Sequence, residues 1–477
     1  MKNVLDPSQN RVVIIGGGPG GYESALVAAQ LGADVMLIER DRCGGSAVLT
    51  DVVPSKTLIS TADLMVEIRE SSELGIRLES VTPGADGEET TDSHVRADLK
   101  AINSRILELA HAQATDIYNG LVRNGVKAIK GTATLTGRHT VHVEEASGSA
   151  YDLEADTILL AVGAHPRELP TAVPDGERIL TWTQLYDLDE LPEHLVVVGS
   201  GVTGAEFASA YHALGCEVSL VSSRDQVLPG EDSDAAEVLE KVFRGRGMNI
   251  LSRSRADKVE RTEDGVLATL ADGRKVNASH CLMAVGSIPN TEGLGLETAG
   301  VAMEESGHIK VDGVSRTTAP GIYAAGDCTP VFPLASVAAM QGRIAMWHAL
   351  GDAVSPLKLR NVASNVFTSP EIATVGFTQS DYSGSRGEIT AVTVPLATNA
   401  RAKMQNVTDG FVKLFARKAS GSILGGVVVG PKASELIMPI TSAVENRMTV
   451  DELSQSFAVY PSLSGSITEA ARKLHMR

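Results

Sequence analysis

An α/β fold of several domains is predicted for this chain by three observations. A unit of buried strand, glycine-rich turn and helix occurs twice, beginning at Arg11 and again at Leu195. From about Asn361 to Arg477 strand-like runs (Ala391 to Leu396, Phe411 to Phe415, Ile423 to Val429) alternate with helical ones, and no third glycine turn follows. The length, 477 residues, exceeds what one hydrophobic core organises, so about three domains are expected from size alone.

Composition narrows the function classes. The net charge of −17, with no lysine and arginine cluster, speaks against nucleic acid or anionic lipid as the main partner, because phosphate binding needs concentrated positive charge. No run of about 18 apolar residues exists to span a bilayer, and Met1 to Pro7 lacks the apolar core of a signal peptide, so a cytoplasmic protein without stable membrane insertion is expected. Cys43, Cys216, Cys281 and Cys328 are scattered without a Cys-x-x-Cys, which indicates neither a disulfide scaffold nor a zinc site. Buried free thiols are one reading. A redox pair of Cys43 and Cys328 is the other, and it requires their Cα atoms within about 7 Å. The histidines His111, His142, His165, His212 and His348 sit singly, without partners at metal spacing, so no metal site is expected.

In the first unit, Arg11-Val12-Val13-Ile14-Ile15 runs into Gly16-Gly17-Gly18-Pro19-Gly20-Gly21 and then into a helix-like stretch from Tyr22 to Leu31. Gly16, Gly18 and Gly21 fit G-x-G-x-x-G: one glycine makes the tight turn, one lets a pyrophosphate approach the backbone, and one lets helix and strand pack closely. A second strand, Asp34 to Ile38, ends in Glu39, placed to bind a ribose hydroxyl. In the second unit Leu195 to Val198 runs into Gly199, Gly201 and Gly204, then a helix from Ala205 and a strand from Glu217 to Val221. Two such units in one chain point to two dinucleotide sites.

The copies differ at one informative position. Glu39 lies 18 residues after Gly21, and the residue 18 after Gly204 is Ser222, followed by Ser223 and Arg224. A carboxylate there would repel a ribose 2′-phosphate by about 4 kcal/mol at 4 Å and an effective dielectric near 20, whereas serine and arginine hydrogen-bond it. The second site therefore favours NADPH or tolerates NADPH and NADH alike. Arg224 as a solvent-facing turn residue is the alternative.

Between the units, Ser72 to Ser93 is rich in Gly, Ser, Thr and acids and is expected as an exposed excursion. Val95, Leu99, Ile102, Ile106, Leu109 and Leu121 then keep helical spacing, with Asp92 or Ser93 available as cap.

Gly44-Gly45-Ser46-Ala47, then Pro54-Ser55-Lys56, resembles the redox loop of the pyridine nucleotide-disulfide oxidoreductases, the flavoprotein disulfide reductases that include dihydrolipoamide dehydrogenase and glutathione reductase. Other segments carry the same resemblance. Lys130-Gly131-Thr132-Ala133 is similar to the family's adenine-side turn, and Ile158 to Gly163 to its Ala-Thr-Gly strand end. Leu282 to Thr291, including Gly286, is similar to its Gly-Arg-x-Pro-Asn-Thr segment, with Ser287 in the arginine's place. Gly321 to Asp327 is similar to its second FAD motif, with Gly326 and Asp327 at the ribityl chain, and Leu334, Ala335 and Ser336 begin a helix under the flavin, whose dipole favours electron density on the ring carbonyl side.

The resemblance implies an FAD-binding domain over 1–163, an NAD(P)-binding domain over 164–286, a central domain over 287–360 completing the FAD site, and a C-terminal α+β dimerisation domain over 361–477. It implies FAD and NADPH as cofactors, with NADH also accepted, and a homodimer. It also implies Lys56 near the flavin N5, paired with Glu206.

Four family positions depart from the pattern. The two redox cysteines are Ala47 and Val52, and the partner-chain His and Glu of the acid–base dyad are Tyr460 and Gly465. Thiol–disulfide exchange requires a thiolate, so lipoamide or glutathione reduction is chemically closed. Hydride transfer from nicotinamide to flavin N5 needs only placement and electrostatics. A pocket of Ala47, Val52 and Tyr460 suits a quinone or other small planar acceptor on the opposite flavin face. The chain thus resembles the dihydrolipoamide dehydrogenase-like NAD(P)H quinone reductases that lack redox cysteines. Tyr460 is either a hydrogen-bond donor to a quinone oxygen or a packed interface aromatic. A soluble transhydrogenase, whose sequences look similar near Arg224, an NADPH oxidase, and a non-catalytic flavin-binding redox sensor in which Lys56 and Glu206 form a purely structural pair stay open as alternatives.

Overall fold

The structure is a computed structural model that describes residues 10–76, 81–83, 89–91 and 95–475. The excursion expected over 72–93 is described only in part. The opening residues read for a leader, and the cap candidates Asp92 and Ser93, lie outside the described residues. The chain divides into two compact units.

The first unit draws its described residues from Met1–Ser55, Ser104–Arg167 and Gly286–Lys358. Its central strand, Arg11–Ile15, is Val-Val-Ile-Ile after the first residue and is buried on both faces, as a central parallel strand requires. It pairs in parallel with Asp34–Glu39 on one side and Thr157–Leu160 on the other. Ile322–Ala324 and Lys127–Leu135 extend the parallel sheet at its two ends. Antiparallel Thr140–Glu145 and Ala150–Glu154 complete seven strands. Alternate residues of the central strand enter different cores. Val12 and Ile14 meet Ala25 and Ala28 of the helix Pro19–Gln30 and Ala345 and Met346 of the helix Ala335–Ala349, while Val13 and Ile15 meet Val141, Leu160 and Leu294. Parallel strands finish at one edge, which is where Gly16, Glu39 and Ala161 come together.

The long amphipathic helix runs Leu99–Arg123, and its cap is Asp98, whose carboxylate accepts the Ala101 N–H at 3.0 Å. Leu99, Ile106 and Leu121 are buried as the spacing predicts. Leu109 and Val95 are exposed, because the buried face follows Asn103, Ile106 and Ala110 instead.

The second unit draws on Lys56–Asn103, Glu168–Val285 and Leu359–Arg477. Here Ile179–Thr181, His280–Met283, His194–Val198, Glu217–Val221 and Asn249–Leu251 form a parallel sheet in that order. A five-stranded antiparallel sheet follows, ordered Ala363–Val366, Glu371–Gly376, Ile423–Gly430, Phe411–Arg417 and Ile389–Pro395. Its core takes in Ile437 and Ile440 of the helix Ala433–Glu445 and Ile467 and Ala470 of the helix Gly465–Leu474. The three strand-like runs of the C-terminal region lie within strands of this sheet, the first losing Leu396 to a 3₁₀ turn. The hairpin Ala363–Val366 with Glu371–Gly376 had no counterpart in the sequence reading.

One buried ion cluster ties this sheet to the start of the helix Ser233–Gly245. The Lys413 ammonium, on Phe411–Arg417, lies 2.8 and 2.9 Å from the two Asp232 oxygens, 2.6 Å from Asp234 and 3.2 Å from the Gln379 amide oxygen. The side chains of Lys413 and Asp232 are each only 2% exposed. Phe411 and Phe415 flank the ammonium, with ring centroids at 5.5 and 5.9 Å.

Candidate functional site

The first glycine turn is shaped by backbone contact. Gly16 adopts φ +100°, and a Cβ there would stand 2.3 Å from the Ala161 carbonyl oxygen; one on Gly21 would stand 1.9 Å from that of Gly16. Gly18 differs: a Cβ on it would meet only the Gly45 Cα, at 4.0 Å. Turn and packing thus account for Gly16 and Gly21, and the open side of Gly18 is the one a pyrophosphate would approach. The loop glycines join this construction. Gly44 donates its N–H to the Gly17 carbonyl at 2.7 Å, and Gly45 lies so close to Gly18 that a side chain on it would collide.

Glu39 ends its strand with one carboxylate oxygen accepting the Gly17 N–H at 2.6 Å and the other accepting the Asp41 N–H at 2.9 Å. Beside it opens a cavity of about 380 Å³ lined by Asp41, Arg42, Thr115, Tyr118 and Lys130 among others. A largely apolar cleft with polar side chains at its rim, next to a carboxylate at a strand end, has the chemistry an adenosine end requires. Arg42, Thr115 and Tyr118 were not singled out from sequence: Arg42 follows Glu39 closely but belongs to no motif, and Thr115 and Tyr118 come from the distant helix Leu99–Arg123.

Gly326 donates its N–H to the Gln341 side chain at 2.9 Å, and Gln341 in turn donates to the Thr329 hydroxyl at 3.3 Å. This fixes the turn that carries Asp327. Asp327 has no hydrogen-bond partner among the described residues, and burial raises its carboxyl above the ordinary range. A half-buried acceptor of this kind matches a ligand that brings hydroxyl donors. Leu334 is the N-cap residue of Ala335–Ala349 and supplies no side-chain cap, so the first N–H groups, at Ala335 and Ser336, carry no cap from it. Ala133 lies in the strand Lys127–Leu135, paired with Val143. Gly163, at φ +66°, accepts the Asn290 N–H at its carbonyl, and Gly286, at φ +95°, accepts that of Arg167.

Ala47 lies in the short helix Gly45–Leu49 and Val52 begins the helix Val52–Glu70. Neither carries sulfur, and the four cysteines present are all free and buried. Burial pushes the Cys43 thiol up to about 11 and the Cys216 and Cys328 thiols up to about 12. Cys328 also aims its S–H at the Leu160 and Ala325 carbonyls. Cys43 packs in the core of Val12 and Ile14 and Cys328 in that of Val13 and Ile15, so the two thiols lie in separate cores.

The second unit repeats the glycine geometry. A Cβ on Gly199 would lie 2.1 Å from the Ala284 carbonyl oxygen and one on Gly204 1.8 Å from that of Gly199, while nothing lies within 4 Å of one on Gly201. The counterpart of Glu39 behaves differently from its twin. Ser222 is fully buried, accepting from the Ser200 hydroxyl at 2.7 Å and the Arg224 N–H at 3.1 Å, and pointing at the carbonyls of Arg224 and Gln226. Its hydroxyl is spent on the turn, and the exposed residues of the loop are Ser223, Arg224 and Asp225.

Lys56 and Glu206 do meet, at 2.7 Å, with side chains 27% and 4% exposed. The other Glu206 oxygen accepts the Phe367 N–H at 2.8 Å, and the Phe367 ring lies under the Lys56 ammonium, 5.0 Å from its centroid. Ser369 donates its N–H to the Ser209 hydroxyl and accepts from Arg246 at its carbonyl. The unforeseen hairpin therefore ends in a turn that grips the helix Val202–Leu214. On the Lys56 helix, burial first, then Glu371 and Glu67, push Asp63 from the ordinary 3.8 up to about 6. The folded protein holds this proton where the unfolded chain has released it, so the contribution to stability is full below about pH 4 and lost as pH rises through 6. Asp63→Asn is expected to raise the melting temperature at pH 8, by an amount equivalent to about 1 kcal/mol after solvent screening, with no gain at pH 4; thermal melts at the two pH values check it.

Tyr460 is 85% exposed and follows the exposed Phe457 and Val459. Gly465 starts the last helix and donates its N–H to Ser462. The histidines are spread among ordinary partners: His142 on Asp152, His165 on Asn290, His212 on the Arg246 carbonyl, and His348 on the Tyr323 hydroxyl.

Two nucleotide-binding folds of this design in one chain define a dinucleotide-dependent oxidoreductase, and the comparisons name its kind. The profile of the pyridine nucleotide-disulphide oxidoreductases matches residues 10–342, and that of the family's dimerisation domain matches 362–471. The chain belongs to the pyridine nucleotide-disulphide oxidoreductase family, which implies FAD and NAD(P)H. It is 54% identical over 473 residues to the NAD(P)H dehydrogenase (quinone) of Mycobacterium tuberculosis, covering 97% of this chain and 94% of that one. The dihydrolipoyl dehydrogenase of Zymomonas mobilis is 34% identical, with 96% of each covered. The crystal structure of LpdA from M. tuberculosis superimposes with a TM-score of 0.92 at 53% identity, covering 98% of this chain and all of that one. No helix among the described residues is long and apolar enough to cross a membrane.

Proposed function

We propose that this chain is an FAD-dependent NAD(P)H:quinone oxidoreductase without disulfide reductase activity. The observation that carries the reading is selective loss: Ala47, Val52, Tyr460 and Gly465 stand at the family's sulfur and acid–base positions, while both glycine turns and the Lys56–Glu206 pair are intact. When bound, FAD supplies the redox chemistry, taking a hydride from the nicotinamide and passing two electrons to the acceptor. The residues of the chain bind and orient. Glu39 and the N–H groups after Gly18 would hold the ribose and pyrophosphate of FAD, with Asp327 on its ribityl hydroxyls and Gly44, Gly45, Ala133, Gly163, Gly286, Gly326 and the 334–336 helix start around it. Gly199, Gly201, Gly204, Ser223 and Arg224 would hold the nicotinamide cofactor, with Ser222 shaping their loop and NADPH preferred. Lys56 is proposed as the cation beside the flavin ring, held in place by Glu206 and by the Phe367 face. Tyr460 is proposed to donate to a quinone oxygen.

The functional division proposed is 1–163 for FAD, 164–286 for NAD(P), 287–360 completing the FAD site and 361–477 for dimerisation. A homodimer is supported by the matched dimerisation domain and by the exposed Phe457, Val459 and Tyr460, which would otherwise present bare apolar surface to water.

Anaerobic titration tests the reading. NADPH is expected to bleach the bound flavin, menadione to restore its colour, and dihydrolipoamide to do neither. Yellow protein that NADPH leaves unbleached overturns it in favour of a redox sensor. Rapid reduction of thio-NAD⁺ with no quinone present, or turnover in air as fast as with menadione, replaces it by a transhydrogenase or an oxidase.

A further inference from the structure

We propose that Arg253 is the second cationic arm of the 2′-phosphate site and that Asp225 holds it in reserve. The inference rests on the reading above, in which the loop after Glu217–Val221 receives the adenosine end of the nicotinamide cofactor.

The need for a second cation follows from what the loop lacks. The chain carries a net charge of −17, which disfavours an anionic cofactor at long range. Ser222, the residue at the selecting position, is consumed inside the turn by Ser200 and by its own loop. Of the exposed residues, Ser223 offers a neutral hydroxyl and Arg224 a guanidinium with no side-chain partner among the described residues. One solvent-exposed arginine discriminates weakly between a ribose with a phosphate and one without.

The neighbouring strand supplies the rest. Beyond its last strand residue, Leu251, the chain keeps hydrogen-bonding to the loop. Ser222 donates its N–H to the Leu251 carbonyl at 2.9 Å, Arg253 donates to the Arg224 carbonyl at 2.9 Å, and Ser254 donates to the Ser222 carbonyl at 3.1 Å. These bonds clamp Arg253 against Arg224 in the backbone. Arg253 takes φ +63°, a left-handed conformation seldom adopted by a side-chain-bearing residue and sustained here by the flanking bonds. Its side chain turns back along the loop, with Nε 3.0 Å from the Asp225 carboxylate. That places the guanidinium next to the residue that follows Arg224.

The Arg253–Asp225 pair is 77% and 86% exposed, so water competes strongly for both partners and the pair is held weakly. A phosphate dianion offers an arginine fork a better match than one carboxylate shared with solvent. Two arginines converging on one phosphate raise its binding without touching the rest of the cofactor. NADH has no group to displace Asp225, so Arg253 stays parked when NADH binds. The device adds affinity for one cofactor and subtracts none from the other. Asp225 thereby becomes the residue that sets how strongly the site prefers NADPH.

Calorimetric titration of the flavin-loaded enzyme with 2′,5′-ADP and, separately, with 5′-AMP isolates the phosphate from hydride transfer. Arg253→Ala and Arg253→Asn, the latter tolerant of the left-handed backbone, are each expected to weaken 2′,5′-ADP about tenfold and leave 5′-AMP unchanged. Asp225→Asn is expected to act in the opposite direction, tightening 2′,5′-ADP about threefold. Arg224→Ala serves as the reference and is expected to lose about tenfold or more. If Arg224→Ala weakens 2′,5′-ADP and neither Arg253 variant does, the proposal is overturned and the cofactor loop stands. If wild-type protein binds both nucleotides equally and Arg224→Ala changes nothing, the loop assignment fails and the proposal falls with it.

Discussion

Gly21→Val is expected to purify as a colourless protein, with the ratio of visible flavin absorbance to protein absorbance more than tenfold below wild type. A Cβ at this position would sit 1.9 Å from the Gly16 carbonyl oxygen, so the helix Pro19–Gln30 must move off the strand or the turn must open. Overpacking against backbone costs about 3 kcal/mol or more because no side chain is present to swing away. Either escape removes the N–H groups that would face a pyrophosphate. Gly18→Ala separates this effect from misfolding. Its added methyl meets protein only at 4.0 Å, so the apoprotein should fold with an unchanged far-ultraviolet spectrum while flavin binding weakens. Retention of full colour by Gly21→Val would show that the first turn is not where FAD is held.

Lys413→Met is expected to lower stability by about 3–5 kcal/mol, read as a fall of roughly 10 °C in the melting temperature, because it strands Asp232 without its buried counter-charge. Asp232 also accepts the Asp234 and Ala235 N–H groups as the cap of the helix Ser233–Gly245, so it cannot turn away from the interior without uncapping that helix. Adding Asp232→Asn to Lys413→Met should recover most of the loss, since an amide keeps the cap and carries no charge. Equal stability of the single and double variants would mean the cluster is not the anchor its burial implies.

Much of the fold was legible because its determinants are local. Glycines at fixed offsets after a β-branched run encode turn, close approach and helix packing within about ten residues, and both copies fold as that spacing predicts. The Glu39 position and the Lys56–Glu206 pairing were likewise within reach, the latter through the resemblance. What stayed hidden is set by contacts over long separations. Phe367 meets Glu206 across 161 residues and Lys413 meets Asp232 across 181, and such pairs leave no periodic trace. Lys413 stands as a lone charge inside the buried apolar run Phe411 to Ala416, and nothing in that run says which acid it meets. Ser222 shows the opposite failure: its residue type suggested a ligand donor, and only the geometry shows its hydroxyl bonded to Ser200.

The turn at Phe367 has a consequence for how such enzymes diverge. The family profiles part the chain at about residue 350, yet the backbone N–H of Phe367 holds the carboxylate that holds Lys56. Recombination that exchanged the last quarter of the gene between two relatives would separate a lysine from the scaffold that aims it. Grafting a foreign C-terminal module onto this oxidoreductase would have to carry the 367–370 corner along with it.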